Sequence, residues 1–402
     1  MPTAPTTDRP TPRLGAPARL PLRALFALFA AAFGAVMTEL LPAGLLPRMS
    51  TGLHVPEARV GYLVTAYAAA SFLAAIPLTA ALRGVRRRRV LTGALLGFAL
   101  ANTVTALSTS YPLTLTARLL AGAMGGTLWA MLAGYAARLA PPERRGRAIA
   151  VVLAGITVAL ALGIPAGTAL ATAVGWRTVF ALLAGLALAL VPWSLAYVPD
   201  FPGERAGERA PLCRIAAIPG IPATLAVTLF LLLGHQALYT YLVPFAAHSG
   251  QGGAGPLLLV FGLATVVGVW LGGAFVDRRP RLVLLAALAL IAGAMLALGL
   301  LGRVPAVTMT AVALWGAAFG AAPTLLQTAL VDLSGPRHAD VATSLQATVY
   351  NLGIAAGSLT GGIALDAAGA GALPWTALPL VTAALTVVTL ARRHAFPARR
   401  TV

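Results

Sequence analysis

This chain of 402 residues contains no lysine, a single cysteine and few charged side chains of either sign. Charged residues make up 10% of the sequence and hydrophobic residues 59%, whereas soluble domains carry roughly 25% charged residues. That shortage of charge excludes a soluble multidomain protein and indicates a chain that crosses a membrane several times. The single cysteine, Cys213, excludes an intramolecular disulfide and any metal site built from several cysteines.

Residue patterns for catalysis are also missing. The five histidines have no metal-ligand spacing, and no glycine-rich loop is present that would cradle a nucleotide phosphate. No nucleophile stands at a recognisable spacing from a base. We therefore expect a protein that is not an enzyme and that uses neither a metal nor another cofactor.

Basic residues outnumber acidic ones, and every basic residue is an arginine. The 29 arginines and 11 acids give a net charge of +18, which in a soluble chain suggests nucleic-acid binding. Here the arginines stand in short loops between apolar segments, as in the cytoplasmic loops of membrane proteins. The densest group, Arg86 to Arg89, is interpreted as an anchor near anionic lipid. The expected partner is thus a lipid bilayer and not a nucleic acid.

Windows of about 20 apolar residues, enough to cross about 30 Å of hydrocarbon, predict twelve membrane spans. In the first half of the chain they lie near residues 22–46, 60–82, 89–108, 112–137, 148–172 and 178–198. In the second half they lie near residues 221–246, 255–276, 282–302, 305–331, 341–365 and 373–391. Residues 1–21 are rich in proline, threonine, alanine and arginine, and we expect them to form a disordered cytoplasmic tail.

The distribution of arginine predicts the direction in which the spans run. The amino-terminal tail, the loops after even-numbered spans and the carboxyl-terminal tail hold 24 of the 29 arginines. Short loops rich in arginine remain in the cytoplasm. We therefore expect a multi-pass protein of the bacterial inner membrane with both termini in the cytoplasm.

The two halves of the chain resemble each other. The sequence GIPAGT at residues 163–168 of the fifth span recurs as GIAAGS at residues 353–358 of the eleventh. Repeats of six spans are typical of carriers whose halves rock around a midplane site. The sequence therefore predicts an all-α membrane protein with twelve transmembrane helices in two pseudo-symmetric six-helix bundles. The expected units are bundles at 22–198 and 221–391, a cytoplasmic linker at 199–220 and a tail at 392–402.

Several short motifs follow one another along the chain. They are TELLPAGLLP at 38–47, GYLVTAY at 61–67, GWRTVF at 175–180, YTY at 239–241 and NLGIAAG at 351–357. From about residue 22 to 391 the chain resembles the major facilitator superfamily, in particular its twelve-span drug:proton antiporter group. Within that group it is most similar to the sugar-efflux and chloramphenicol-resistance branch. The resemblance implies alternating-access export of a drug, sugar or metabolite in exchange for protons.

The chain departs from the superfamily pattern in the loop after the second span. That loop reads ALRGVR at 81–86, without the acid that usually precedes its basic residues. The corresponding loop after the eighth span keeps an acid, Asp277, followed by Arg278 and Arg279. We therefore expect a gating contact from Asp277 and Arg278 on one side only.

The fifth span combines Gly163, Pro165 and Gly167, an abbreviated form of the family's antiporter motif. Small residues let membrane helices pack closely, and a proline allows a helix to bend. We expect this span to face the eleventh and to flex or seal the central cavity during alternation. Passive packing is the alternative.

Glu39 is the acid that lies deepest in any hydrophobic segment. A carboxylate at that depth costs at least about 2.5–3.5 kcal/mol on insertion scales, and such residues usually mark an ion, proton or substrate path. Arg118 falls in the same half of the membrane, so we expect a buried ion pair between the two. The resemblance gives Arg118 the role of the fourth-span arginine that influences proton coupling.

Two roles are open for this pair. In one, Glu39 exchanges a proton, and Arg118 or bound substrate changes its affinity for that proton. In the other, the pair only holds two helices together. Pro42 lacks the N–H that would bond to the carbonyl of Thr38. The freed carbonyl could hold water or a polar substrate group, or the resulting kink could only shape the packing.

The seventh span carries an unusually polar run with His235, Gln236 and Tyr239. Aligning Pro47 with Pro244 places Gln236 at the repeat position of the acid in the first span. His235 either titrates near neutral pH or is a hydrogen-bonded structural group. The other cavity candidates, polar or amphipathic groups in apolar helices, are Trp129, Gln327, Gln346, Tyr350 and Asn351. Such side chains also serve as contacts between helices.

These observations predict a proton-coupled secondary transporter that exports a small organic compound and acts as a monomer. Proton-coupled uptake on the same fold stays open, because no residue encodes the direction of transport. A transport-inactive membrane sensor also stays open, although the tails and the central loop are short for a signalling domain.

Overall fold

The structure is a computed structural model, and it describes residues 20–82, 84–141, 144–203, 215–251, 253–275, 279–335, 339–391 and 395. Most of the predicted tails and linker lie outside these residues, as do Cys213, Asp277 and Arg278. The gating contact predicted for Asp277 and Arg278 therefore stays a prediction.

Helices make up almost all of the described part of the chain, and no strand occurs in it. This follows from the composition, because a helix satisfies its own backbone hydrogen bonds where lipid offers none. The helices of the first half are α1 (Leu22–Gly44), α2 (Leu46–Leu53), α3 (Glu57–Ala81), α4 (Arg87–Leu107), α5 (Tyr111–Arg138), α6 (Arg145–Val158), α7 (Ile164–Val174) and α8 (Trp176–Tyr197). A π-helical turn at Ala159–Gly163 joins α6 to α7.

The second half repeats this arrangement. Its helices are α9 (Ile221–Tyr239), α10 (Leu242–His248), α11 (Gly255–Phe275), α12 (Pro280–Leu301), α13 (Pro305–Ser334), α14 (Ala339–Ala368) and α15 (Leu373–Leu390). A 3₁₀ turn at Ala370–Ala372 lies between the last two helices.

Among the described residues, eleven segments are long and apolar enough to cross a membrane, with α6, the π turn and α7 counted as one. The 30-residue helix α14 supplies a twelfth span, which contains more polar side chains than the others. The all-α fold with twelve spans that hydropathy predicts is therefore confirmed.

The first and seventh spans break at matching places near one end of the molecule, which we call the α2/α10 end. α1 gives way to α2 at Leu45, and α9 gives way to α10 at residues 240–241. Each new helix has a proline near its start, Pro47 or Pro244, whose missing N–H removes one helical hydrogen bond. The seventh span predicted at 221–246 is thus interrupted instead of continuous.

Two bundles form because α1 to α8 pack mainly against one another, and α9 to α15 do the same. The closest pair in the first bundle is α3 with α5, where two glycines remove the side chains from the contact. Gly122 and Gly126 of α5 lie against the carbonyl oxygens of Tyr67 and Ser71 in α3. Small residues of this kind let membrane helices approach to backbone contact.

The second bundle contains the same arrangement between α11 and α13. Gly316 and Gly320 of α13 lie against the carbonyl oxygens of Phe261 and Thr265 in α11. All four residues follow their counterparts in the first bundle by one constant interval along the chain. The two halves therefore share their packing geometry as well as their sequence pattern.

The bundles meet mainly between α3 and α14 and between the fifth span and α11, with further contacts of α10 with α1 and α2. Gly262 of α11 lies against the π turn, where an added Cβ would come within 2.6 Å of the Cα atom of Ala161. The expectation that the fifth span faces the eleventh is therefore wrong. The eighth span takes that place because it has no side chain at the crossing.

We predict that Gly126→Ala lowers the free energy of unfolding by about 1–3 kcal/mol, the usual cost of overpacking. The new Cβ would lie 2.5 Å from the Ser71 carbonyl oxygen, which is backbone and cannot move alone. Thermal unfolding of the purified protein in detergent measures the loss.

Gly134 on the same helix is the matched control, because a Cβ there meets nothing within 4 Å. Gly134→Ala is expected to keep or raise the unfolding temperature, since alanine favours a helix over glycine. Equal unfolding temperatures for the two variants would contradict the importance of this backbone contact.

Candidate functional site

Arg118 is buried in the first bundle, and its guanidinium donates hydrogen bonds to backbone carbonyls of two other helices. Its Nη1 atom donates to the carbonyl of Thr38, and its Nη2 atom to the carbonyl of Glu39 at 2.9 Å, both in α1. Its Nε atom is 3.4 Å from the carbonyl of Leu63 in α3. One side chain on α5 thus connects three helices of the bundle.

The sequence explains why a carbonyl of α1 is free at this point. Pro42 lies inside α1 and has no N–H to bond to the carbonyl of Thr38, four residues earlier. The guanidinium of Arg118 takes the place of that missing donor. The carbonyl predicted to hold water or substrate is therefore occupied by a protein side chain in this conformation.

The ion pair predicted between Glu39 and Arg118 is not formed between these two described residues. Arg118 contacts Glu39 through its main-chain carbonyl, while the carboxylate atom Oε1 is buried without a hydrogen-bond partner. The reason is geometric, because three of the five guanidinium donors already point at main-chain oxygens. Glu39 and Arg118 are close, as predicted, but they are not bonded through their charges.

Two further side chains complete this group, which we call the acid cluster: Thr38, Glu39, Tyr67, Asn102 and Arg118. Asn102 Nδ2 donates to Thr38 Oγ1 at 3.0 Å, and the guanidinium lies 4.9 Å from the centre of the Tyr67 ring. The Tyr67 hydroxyl and Asn102 Oδ1 are buried without a partner, like Glu39 Oε1. Three unpaired buried oxygens in one cluster are unusual, since most buried polar atoms are hydrogen-bonded.

Asn102 is a residue that the sequence analysis missed. A usable signal was present, because Asn102 is one of only two asparagines in the chain and lies in an apolar span. Tyr67 ends one of the recognised motifs, but its ring contact with Arg118 depends on two helices meeting. Sequence alone does not show that contact.

In the second bundle His235 lies among four aromatic rings, and we call these five residues the aromatic box. The His235 ring stacks on Phe319 with centres 3.7 Å apart and planes 11° apart. Tyr239, Trp315 and Phe261 surround it with ring centres at 5.1, 5.3 and 5.6 Å. The sequence predicted His235 and Tyr239 as site residues and missed the other three.

Polar atoms of this region are also without partners. His235 Nδ1, Trp315 Nε1 and the neighbouring Gln236 Oε1 are buried and make no hydrogen bond. One interpretation of His235 is a hydrogen-bonded structural group, but its Nδ1 atom makes no hydrogen bond. Aromatic rings surround it instead. Stacking dominates the environment of this ring.

The remaining predicted substrate residues are spread over α5, α13 and α14. Gln327 is exposed, Gln346 is buried, and Asn351 Nδ2 donates to the carbonyl of Ala347 in its own helix at 3.0 Å. Trp129 and Tyr350 are partly buried against the hydrophobic core. No hydrogen bond among the described residues joins any of them to the acid cluster or to the aromatic box.

The fifth span supports the helix that carries Glu39. Pro165 has no N–H for the carbonyl of Ala161, and the π turn at Ala159–Gly163 surrounds that carbonyl. An added Cβ at Gly163 would meet Met37 Sδ at 2.5 Å, and one at Gly167 would meet Leu41 Cδ1 at 2.9 Å. These glycines thus pack on α1 on both sides of the acid. π turns within α-helices frequently occur at functional sites.

One hydrogen bond joins the two halves towards the α2/α10 end, and a second one within the second half supports it. Ser358 Oγ of α14 donates to the carbonyl of Gly61 in α3 at 3.0 Å. The hydroxyl of Tyr241, between α9 and α10, donates to the carbonyl of Ser358 at 2.9 Å. The Tyr241 ring also lies directly against the Cα of Gly61, so that any side chain there would collide with it. The molecule is therefore closed at this place.

At the opposite end an acid from elsewhere compensates for the one missing from the loop after the second span. Asp200 follows α8, and its carboxylate accepts from Arg86 Nη1 at 3.2 Å and from the backbone N–H of Arg88 at 3.3 Å. This places a negative charge at the start of α4, where the helix dipole favours it. Tyr135 of α5 donates to the carbonyl of Pro199 at 2.6 Å and holds the same segment.

An apolar groove of about 760 Å³ lies between α12 and α13. Its walls are mostly alanine, leucine and glycine side chains, and none of its lining residues belongs to the acid cluster or the aromatic box. A groove without convergent polar groups lacks the features of a specific ligand site. The candidate functional residues are therefore those of the two bundle interiors.

We predict that Asp200→Asn lowers the free energy of unfolding by about 1 kcal/mol, because it removes a charge from a partly exposed ion pair and a helix start. The midpoint of thermal unfolding in detergent measures the effect, and added salt should reduce the difference from the original protein.

Arg89→Gln is the control for that measurement. Arg89 is exposed and its side chain has no described contact, so its loss should leave the unfolding midpoint unchanged. If both variants lose the same stability, net charge and not the contact of Asp200 is responsible.

The sequence of this chain is similar to those of known membrane transporters. The model of the family described as the Major Facilitator Superfamily matches residues 25–358. A probable sugar efflux transporter of Mannheimia succiniciproducens is 28% identical over 334 residues, which cover 82% of this chain and 84% of that protein. The purine ribonucleoside efflux pump NepI of Escherichia coli is 29% identical over 338 residues, with coverage of 82% and 84%.

Solved structures agree on the fold. The human organic anion transporter MFSD10 has a TM-score of 0.68 at 18% identity, covering 92% of this chain and all of that chain. A bacterial homologue of the human lysosomal transporter Spinster, in an inward-facing and unoccupied conformation, has a TM-score of 0.68 at 16% identity, covering 95% and 98%.

Proposed function

This chain belongs to the Major Facilitator Superfamily, and on that premise we propose that it exports a small organic compound in exchange for protons. It is a multi-pass membrane transporter and not an enzyme. The observation that carries the proposed proton coupling is the buried, unpaired carboxylate oxygen of Glu39 in the acid cluster.

Glu39 has the chemistry for proton exchange. An ionised carboxylate in a buried place is costly unless it is paired, and its Oε1 atom has no partner here. The charge of Arg118 is close, but its guanidinium is held by the carbonyls of Thr38 and Glu39. A proton on the carboxyl group removes the cost, and so does a donor from bound substrate. In the proposed cycle proton and substrate alternate at this group.

Closure at the α2/α10 end supports alternating access. The contacts among Gly61, Tyr241 and Ser358 join the two halves there. The arginine distribution favours an outside position for that end, so we propose an arrangement that is closed to the outside. Opening towards the cytoplasm would then admit the compound to be exported.

The names of the two relatives favour export over uptake, since one is a sugar efflux transporter and the other a purine ribonucleoside efflux pump. Both sugars and purine ribonucleosides are small and polar. We therefore propose a neutral or weakly charged small compound as the substrate. One carboxylate can serve a proton or balance a cationic substrate, but it does not readily do both at once.

The proposal also assigns roles to the remaining candidate residues and a location to the protein. The proposed substrate contacts are Trp129, His235, Gln236, Tyr239, Gln327, Tyr350 and Asn351. The proposed gating residues among those described are Pro42, Gly163, Pro165 and Gly167. We place the protein in the bacterial inner membrane as a monomer with both termini in the cytoplasm.

We predict that Glu39→Gln abolishes proton-driven export but leaves exchange of labelled for unlabelled substrate across the membrane. Glutamine keeps the shape and the main-chain carbonyl that Arg118 binds, but it cannot titrate. Energised inverted vesicles with a pH-sensitive dye measure proton release when inosine or a sugar is added.

Glu57→Gln is the matched control, because Glu57 stands in the first turn of α3, outside the acid cluster. It should leave proton release intact. Export by the Glu39→Gln protein with an unchanged pH dependence would refute the coupling role.

We also predict that Arg118→Lys lowers the free energy of unfolding by about 2 kcal/mol or more, because charge-assisted hydrogen bonds to buried carbonyls are lost. An ammonium group keeps the charge but cannot reach oxygens on two helices with the same fork. Thermal unfolding separates this structural loss from the Glu39→Gln effect, for which we expect an almost unchanged midpoint.

A further inference from the structure

From the geometry of the aromatic box we infer that it binds a flat, neutral heteroaromatic ring of the exported compound, stacked on aromatic faces and hydrogen-bonded at its edge. This rests on the proposed function, because the ring is taken to belong to the compound that the protein exports. The inference narrows the substrate from any small organic compound to one chemical class.

The first support is the shape of the box. Three helices contribute to it: α9 with His235 and Tyr239, α11 with Phe261, and α13 with Trp315 and Phe319. His235 lies nearly parallel to Phe319, Tyr239 and Phe261, with interplanar angles of 11°, 23° and 26°. His235 and Phe319 come from separate helices and are in stacking contact here, so a shift of these helices would open a flat slot between the two rings. A slot of this kind suits a planar ring better than a sugar.

The second support is a pair of polar atoms without partners on the rings of the box. His235 Nδ1 and Trp315 Nε1 are both buried, and neither makes a hydrogen bond. Indole N–H is a donor only, and a neutral imidazole nitrogen is a donor or an acceptor according to its tautomer. Buried polar atoms are normally satisfied, so these two point to a ligand that carries hydrogen-bonding groups on its edge.

The third support is the position of the box beside the boundary between the two halves. Phe261 directly precedes Gly262, and Gly262 crosses the π turn of the fifth span at backbone contact. A rocking movement of the halves therefore acts on the helix that forms one wall of the box. The closed stacking of His235 on Phe319 is then the empty state, and opening separates these two faces.

The charge of the ligand ring follows from the side chains around it. Apart from His235, the box consists of phenylalanine, tyrosine and tryptophan, and Gln236 beside it is neutral. A charged ring would be desolvated there without a counter-ion, which is costly. Neutral nitrogen-containing rings such as those of nucleobases meet the requirements of both stacking and edge hydrogen bonding.

The test uses the full-length protein in inverted membrane vesicles, with labelled inosine as the transported probe. We expect unlabelled hypoxanthine, the flat base alone, to compete with inosine, and ribose alone not to compete. Competition by ribose but not by hypoxanthine would overturn the inference. Proton-coupled export of a sugar without export of inosine would overturn it too, while leaving the proposed function in place.

Three variants locate the effect. Phe319→Leu removes one stacking face and should raise the KM for inosine about tenfold. Trp315→Phe and His235→Phe keep aromatic rings but remove the polar atoms, and should shift the preference towards rings with fewer edge groups. Phe180→Leu is the control, since Phe180 is equally buried but pairs with Trp176 away from the box.

Ligand-induced thermal stabilisation of the original protein tests binding without relying on variants that fold poorly. Purified original protein should gain thermal stability from hypoxanthine and inosine but not from ribose. If no flat heteroaromatic compound stabilises the protein, or if Phe319→Leu lowers stability without changing the KM for inosine, the box is only part of the hydrophobic core and the inference is wrong.

Discussion

The bond between the guanidinium of Arg118 and the main-chain carbonyls of α1 is the interaction on which the first bundle depends. Pro42 frees the carbonyl of Thr38, and Arg118 satisfies it from α5. The same side chain reaches Leu63 in α3, so that three helices share one buried cation. Because this cation donates to backbone oxygens, it leaves the Oε1 atom of Glu39 buried without a hydrogen-bond partner. The hydrogen bonds of Arg118 to the backbone thus leave the Glu39 carboxyl group free to bind a proton or a ligand.

The two bundles share the same glycine-mediated helix packing, but the side chains in their interiors differ in chemical type. Tyr67 and Phe261 occupy corresponding places, each with its carbonyl against a glycine of the neighbouring helix. The ring of Tyr67 lies under the guanidinium of Arg118, whereas the ring of Phe261 lies beside His235. One half thus gathers charge and unpaired oxygens, and the other gathers aromatic faces. In the proposed cycle, the first interior supplies the carboxyl group that proton and substrate occupy in turn, and the second supplies aromatic faces for a ring of the compound.

Hydropathy was sufficient to predict the spans, eleven of which are long apolar helices in the described residues, because length and apolar composition are properties of each segment by itself. Depth in the membrane likewise predicted that Glu39 and Arg118 lie close together, and they do. The sequence could not predict which atom of Glu39 contacts Arg118. The main-chain carbonyl and the side-chain carboxylate belong to the same residue, and only the structure shows that the carbonyl accepts the hydrogen bond. Asp200, distant from the arginine loop along the chain, was missed for the same reason. These contacts arise only when separate helices meet.

The fifth span packs against α11 because α11 has a glycine, Gly262, where the two helices cross. Sequence symmetry between the fifth and eleventh spans suggested that they face each other, but repeat-related helices need not be in contact. Gly262 allows α11 to lie on the backbone of Ala161. Internal symmetry thus predicts equivalent environments better than it predicts direct contacts.

The glycines that hold α5 to α3 and α13 to α11 have a mechanical consequence. Backbone resting on backbone leaves no flexible side chains to absorb strain, so these helix pairs resist sliding. Each bundle then behaves as a stiff lever, and a small tilt at one end becomes a larger displacement at the other. We expect bending at the prolines and the π turn, where helical hydrogen bonds are missing or irregular. For a given tilt, the displacement at the far end would therefore grow with the length of the helices.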